Sequence, residues 1–79
     1  MIYEAVVSIS VDLETVNEFL KSHQMEPAEE LEPYDEEENV VTFSGADGFL
    51  STLAKLEHND EMPDWLFDCT DADGEAWEG

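Results

Sequence analysis

Alternating apolar and polar residues predict three strands, at residues 2–9, 39–44 and 64–69. Each of these strands has one apolar face that we expect to be buried. The residues on these faces are Tyr3, Ala5, Val7 and Ile9 in the first strand, Val41 and Phe43 in the second, and Trp65, Phe67 and Cys69 in the third.

A first helix is predicted between the first two of these strands. Ser10 or Asp12 can cap its start, and Pro27 prevents its continuation, so we expect it to end near Gln24. The residues on its buried stripe are Leu13, Val16, Leu20 and His23.

A second helix is predicted between the second and third strands. Ser44 is followed three residues later by Asp47, which resembles a capping box at the start of a helix. Gly48 would weaken the first turn, and the helix should end near residues 58–59. The apolar stripe consists of Phe49, Leu50, Leu53 and Leu56.

The stretch EPAEELEPYDEEEN, residues 26–39, has no clear periodicity. Leu31 is its only aliphatic residue larger than alanine, and Pro33 is compatible only with an edge strand. We interpret residues 26–38 as an acidic edge strand or a loop. In the first case residues 29–34 form a strand, and PYDEEEN is the turn of a hairpin.

The predicted order is strand, helix, weak strand, strand, helix, strand. This order predicts an α+β fold in a single domain, residues 1–79, with an antiparallel sheet and two helices on one face. The β-α-β-β-α-β order is that of the ferredoxin-like split βαβ motif. The alternative is a different α+β sheet in which the acidic stretch is a loop.

The charge of the chain indicates which partners it can bind. The chain has 79 residues, with 22 Asp and Glu against two basic residues, Lys21 and Lys55, and its formal net charge is −20. Such a protein repels nucleic acids and anionic membranes, so we expect it to bind neither directly. Its expected partners are cations and basic protein surfaces.

The single cysteine excludes an intramolecular disulfide and is consistent with a reducing compartment. The opening residues MIYEAVVSISVDLE lack the basic region of a signal peptide, and no stretch of the chain is long and apolar enough to span a bilayer. We therefore expect a cytoplasmic protein.

Residues typical of catalysis are sparse. Cys69 lies on a predicted core face, and neighbouring acids would suppress its thiolate. His23 and His58 each end a predicted helix, where the helix dipole alone favours histidine. No motif frames a nucleophile with a base, so we predict no enzyme activity and no cofactor.

A calcium-binding loop is the nearest metal motif in the sequence. Aligning DCTDADGEAWEG to an EF-hand loop places Cys69 at the first position, where a hard cation requires oxygen, and the final glutamate would fall beyond Gly79. We therefore predict a turn at DADG, followed by a short return strand at EAWE, and no metal site.

The acidic residues themselves are the best functional candidates. Eight lie between residues 26 and 38, and nine lie from residue 57 onward. Within these stretches, Tyr34 and Trp77 are candidate aromatic anchors for a partner, although Trp77 could equally cover a sheet edge. The predicted partner-binding residues are Glu26, Glu29, Glu30, Glu32, Tyr34, Asp35, Glu36, Glu37, Glu38, Asp71, Asp73, Glu75, Trp77 and Glu78.

The small size, the absence of arginine and the stretch EPAEELEPYDEEEN resemble the acidic nucleic-acid-mimic proteins of phages and mobile elements. That resemblance implies a DNA-mimic inhibitor of the anti-CRISPR or anti-restriction type, which would act in the host cytoplasm. Its carboxylates would occupy the basic groove of a nuclease, CRISPR effector or restriction component.

Three alternatives remain open at this point. An immunity protein for a basic nuclease toxin would use the same electrostatic attraction, and an ordinary protein of a halophile would also be acidic. A calcium-dependent module is the third.

Overall fold

The computed structural model describes residues 1–75 of the chain. Its elements are β1 (Ile2–Ser8), α1 (Leu13–Ser22), β2 (Glu32–Pro33), β3 (Glu38–Ser44), α2 (Phe49–His58) and β4 (Leu66–Asp71). The four strands form one antiparallel sheet in the order β2-β3-β1-β4, which confirms the predicted α+β class. The element order and the sheet order together suggest the ferredoxin-like arrangement.

The hydrophobic core lies between one face of the sheet and the two helices. Val7 and Leu53 are fully buried there, and the Tyr3 ring packs against two phenylalanine rings that also contact each other. Its centroid is 5.7 Å from that of Phe43 and 5.4 Å from that of Phe49. The helices cover only this side, so the opposite face of the sheet is left open.

Helix α1 begins and ends close to the predicted positions. Asp12 is its N-cap and accepts a hydrogen bond of 2.8 Å from the amide of Thr15. The hydrogen bonds from Thr15 lower the pKa of the Asp12 carboxyl. After the C-cap His23, the chain turns through Gln24, whose φ is 62°, and leaves the helix.

The predicted start of the second helix is wrong. Ser44 ends β3, where it pairs with Ile2, so its hydroxyl lies away from the helix and donates to Glu26 instead. The N-cap of α2 is Gly48, with a φ of 91° and no side-chain cap. Glycine adopts this left-handed conformation without strain, so Gly48 aids the entry to the helix and does not weaken its first turn.

A bulge in β4 overturns the predicted burial pattern of that strand. The register between β1 and β4 shifts between Val6 and Val7, so that Leu66 and Cys69 are both buried. Phe67, which the alternation places in the core, is 45% exposed on the open face. An extra residue in one strand reverses the face on which the following side chains lie.

Ile9 is a second error in the predicted core. It lies beyond the end of β1 and is 54% exposed, although its parity matches that of the buried residues. Its amide still donates to the carbonyl oxygen of Glu37, in line with the β1–β3 register, but the chain begins a turn here and the side chain is not enclosed by the core.

The outer edge of β4 has its backbone donors occupied within the chain. The amide of Cys69 donates to the side chain of Asp68 at 2.9 Å, and the amide of Asp71 donates to the carbonyl oxygen of Glu75 at 3.0 Å. The predicted return strand at residues 75–78 lies largely outside the described residues, and Glu75 is not part of a strand. Within residues 1–75, neither helix has the length and apolar character needed to cross a membrane.

Candidate functional site

The acidic segment from Glu26 onward follows β3 in the opposite direction and is held at both ends. At one end the amide of Glu26 donates to the carbonyl oxygen of Ser44 at 2.9 Å, and the Ser44 hydroxyl donates to the Glu26 carboxylate at 2.6 Å. At the other end Glu32 pairs with Val40 in the short strand β2. The predicted strand at residues 29–34 is therefore reduced to two residues.

Between these ends the segment is fixed to helix α1. The side-chain amide of Asn17 donates to the carbonyl oxygen of Ala28 at 3.1 Å, and its oxygen accepts the Ala28 amide at 2.8 Å. Ala28 is buried, so these bonds satisfy main-chain groups to which water has limited access. The segment is pinned towards the helix here and separates from the edge of β3.

An open groove of about 360 Å³ lies where the segment and β3 separate. No lysine, arginine or histidine lines it. Its carboxylates come from Glu26, Glu29, Glu30 and Glu32, and its other lining residues are Ile2, Pro27, Thr42, Phe43 and Ser44. We call this feature the acidic groove. It brings together four of the predicted partner-binding residues.

The main chain of Thr42 faces the acidic groove. Hydrogen-bonded pairs alternate along an antiparallel ladder, and Val40 and Ser44 both direct main-chain groups towards the segment. Thr42 lies midway between them and therefore directs its N–H and C=O the same way. Within the described part of the chain, neither group is bonded to the segment. The groove thus offers a main-chain donor and acceptor beside its carboxylates.

A second, smaller groove of about 220 Å³ lies across β1 from the first. Glu4 and Asp71 contribute its carboxylates, and Ile2 and Thr42 line both grooves. The side chain of Ile2 is 59% exposed. An apolar side chain therefore stands between two concave acidic surfaces.

Ile2, Glu4 and Thr42 line the grooves but were not predicted as site residues. The sequence does contain a signal for two of them. Ile2 and Glu4 alternate with the buried residues Tyr3 and Ala5 and therefore lie on the outward face of β1. An isoleucine at an outward-facing position of an alternating strand is left exposed by that alternation.

The remaining acids of the stretch form a turn at the other end of β3. The amides of Tyr34 and Asp35 donate to the carbonyl oxygen of Glu38 at 3.2 and 3.1 Å, and the Asp35 carboxylate accepts the Glu37 amide at 2.8 Å. Tyr34 is 64% exposed. The turn also contains Glu36, and none of its residues lines the acidic groove.

Two carboxyls of this turn share a hydrogen bond. The Glu37 amide and then the Glu38 side chain lower the pKa of Asp35. The same hydrogen bond, followed by desolvation and by repulsion from Asp35 and Glu37, raises the pKa of Glu38. A proton binds more tightly when two neighbouring carboxyls share it than when a single carboxyl binds it.

The predicted C-terminal site residues lie around a turn after β4. The Asp71 carboxylate accepts the amides of Asp73 and Glu75 at 2.9 and 3.0 Å, and Gly74 occupies a left-handed position with a φ of 82°. Asp71 thus stabilises the predicted turn and also reaches the smaller groove. Trp77 and Glu78 lie outside the described residues.

Within residues 1–75, no group of three or more His, Cys, Asp or Glu side chains is arranged to hold a metal ion. Cys69 is buried, and desolvation, followed by repulsion from Asp68 and Asp71, raises its pKa to about 12. The ring of His23 packs against Phe19, with centroids 4.7 Å apart. Cys69 and His23 are therefore packing residues in this conformation.

No protein-family model, curated protein or solved structure matches the chain.

Proposed function

We propose that the protein is a non-enzymatic inhibitor that binds the basic nucleic-acid-binding surface of another protein. The observation that supports this most directly is the acidic groove, in which four carboxylates line one concave surface without a neighbouring cation. In a phage or mobile element, such an inhibitor would act in the host cytoplasm on a nuclease, CRISPR effector or restriction component.

The arrangement suits this role because the carboxylates lie on a folded frame. A nucleic-acid-binding groove presents lysine and arginine side chains to a regular row of phosphates. Carboxylates that are already ordered lose less conformational entropy on binding than those of a flexible acidic tail. The bonds from Asn17 to Ala28 and from Ser44 to Glu26 provide that order.

The overall charge supports the same proposal. A net charge of −20 exceeds the magnitude of about 2–8 that solubility requires of a small domain. Such a charge attracts a basic partner over long distances and can raise the association rate towards about 10⁸ M⁻¹s⁻¹ at low salt.

Capture from a bacterial lysate with the tagged protein tests the proposal. We expect a basic nucleic-acid-binding protein to be retained, and we expect duplex DNA or guide RNA to release it. Retention should also weaken steeply with salt, because the contacts are between charges.

Two triple variants of equal charge separate the acidic groove from general acidity. The variant E29Q/E30Q/E32Q removes three carboxylates of the groove, whereas E18Q/E61Q/D64N removes three exposed carboxylates elsewhere; each changes the net charge from −20 to −17. We expect only the first variant to lose the partner. Failure to capture any basic nucleic-acid-binding protein, or a partner that nucleic acid does not displace, would overturn the proposal.

A further inference from the structure

We infer that the open face of the sheet around Ile2 is the docking surface for the basic partner, and that the partner's contact residues combine arginine with an apolar side chain. This inference rests on the proposed function and specifies the face and the chemistry of the contact. It involves residues outside the acidic stretch that the sequence emphasises.

Within residues 1–75, neither helix covers this face of the sheet. Both helices pack on the opposite side, and the outward residues of β1 alternate with the buried ones. Ile2 is 59% exposed and Phe67 is 45% exposed, although each belongs to a strand of the sheet. Large apolar side chains that are exposed on a regular element, with polar groups around them, are typical of binding surfaces.

The apolar residues are arranged across the sheet. Val6 pairs with Val40 on β3 and with Asp68 on β4, and the bulge places Phe67 next to Asp68 on the same side. Val6, Val40 and Phe67 thus form an apolar band across three strands, with Asp68 beside it. Such a band can supply the desolvated contacts that long-range charge attraction alone does not give.

At the Ile2 end, charged and apolar contacts are adjacent. Ile2 stands between the acidic groove and the smaller groove, and Thr42 lines both. A guanidinium group can lie over an apolar side chain while its N–H groups donate to carboxylates and to a carbonyl oxygen. An ammonium group is more strongly hydrated and lacks the planar fork, so this geometry favours arginine over lysine.

Charge complementarity identifies the occupant as cationic. None of the four strands contains Lys, Arg or His; Lys21 and Lys55 belong to the helices. Glu4 lies in the middle of the face, and Glu32 and Asp68 lie on its flanking strands. A second copy of this chain would bring another net charge of −20 against this surface, and the two would repel.

The first test is an NMR titration of the isotope-labelled protein with two synthetic octapeptides of equal positive charge. One alternates arginine with leucine, and the other alternates lysine with glycine. We expect the arginine–leucine peptide to bind more tightly and to shift the amide signals of Ile2, Glu4, Thr42 and Thr70. Equal binding of the two peptides, or shifts confined to α1 and α2, would overturn the inference.

The second test uses a matched pair of isoleucines with similar exposure. Ile2→Ser alters the docking surface, whereas Ile9→Ser alters an exposed isoleucine beyond the end of β1. We expect Ile2→Ser to weaken binding of the arginine–leucine peptide about tenfold and Ile9→Ser to leave it nearly unchanged. Because both side chains are exposed, the two variants should unfold at similar temperatures, which circular dichroism verifies.

Glu4→Gln is a third variant that keeps the size of the side chain, and it should also weaken binding of the peptide. Equal affinities of Ile2→Ser and Ile9→Ser would reject this face as the contact. That result would leave the proposed function standing, because the lysate capture and the E29Q/E30Q/E32Q variant test it separately.

Discussion

Asn17 and Ala28 are joined by two hydrogen bonds that connect helix α1 to the acidic segment. The side chain of Asn17 both donates to and accepts from the main chain of Ala28, over distances of 3.1 and 2.8 Å. One amide side chain therefore fixes a stretch that has no regular secondary structure of its own. The positions of the groove carboxylates depend on this pair.

Replacing Asn17 by alanine should destabilise the protein. Both main-chain polar groups of Ala28 would lose their partners at a partly buried site, and we expect the free energy of unfolding to fall by about 1–3 kcal/mol. Urea denaturation measures this change. An unfolding free energy equal to that of the wild type would show that water replaces the side chain without cost.

Asn17→Asp is the matched control, because it retains the oxygen that accepts the Ala28 amide. Its carboxylate would face the Ala28 carbonyl oxygen at neutral pH and repel it. We expect this variant to regain stability in acid, where the protonated carboxyl can donate as the amide does.

Replacing Glu38 by glutamine should stabilise the protein at neutral pH. The pKa of Glu38 is raised above its ordinary value of 4.5 in the folded protein. The protonated Glu38 therefore stabilises the fold at a pH below 4.5, and this stabilisation is lost as the pH rises through the folded pKa. The lowered pKa of Asp35 acts in the opposite sense, and its contribution is lost as the pH falls. Glutamine keeps a donor for Asp35 at every pH.

Thermal denaturation across this pH range measures the effect. We expect Glu38→Gln to melt above the wild type at pH 7 and alongside it below pH 4.5. Glu36→Gln removes the same charge from the same turn and is the control. An equal gain from both variants would indicate general relief of charge repulsion and not the shared hydrogen bond.

The thiol of Cys69 should be unreactive in the folded protein. A pKa of about 12 in place of 9.0 lowers the thiolate fraction at pH 8 about a thousandfold, and burial blocks access as well. Mass spectrometry after iodoacetamide treatment should show no rapid alkylation in buffer and complete alkylation in urea. Rapid native labelling would mean that β4 opens readily.

Salt should stabilise the protein without being required for folding. The net charge of −20 produces repulsion that salt screens, so the melting temperature should rise as NaCl is added. We expect a cooperative transition already at about 0.15 M NaCl. If circular dichroism shows a folded chain only in molar salt, the halophile interpretation replaces the proposed function.

Sequence patterns predicted most of the fold because most helices and strands carry a signal within their own residues. Strand β1 shows its alternation at Tyr3, Ala5 and Val7, and α1 has a cap at Asp12 and a stripe through Val16. These features depend on neighbours in sequence. The edge position of β2 was also accessible, because proline cannot donate to a ladder.

The errors arose where distant residues determine the structure. The bulge that exposes Phe67 depends on how β4 meets β1, and no local pattern in DWLFDC reveals it. Ser44 was assigned to a helix cap because its strand partner Ile2 is 42 positions earlier in the chain. The contact of Asn17 with Ala28 is likewise invisible in the sequence, so the existence of the groove could not be predicted although its acids could.

The occupied edge of β4 has a consequence for how the molecule behaves among its own copies. The amides of Cys69 and Asp71 are bonded within the chain, and on the far side of the sheet β2 is only two residues long and includes Pro33. Within residues 1–75, neither edge offers a continuous row of free donors on which a neighbouring strand could add, although the main chain of Thr42 stays open to the acidic groove. Strand addition from one copy to the next is therefore disfavoured at both edges of the sheet, so we expect the protein to stay dispersed at high concentration.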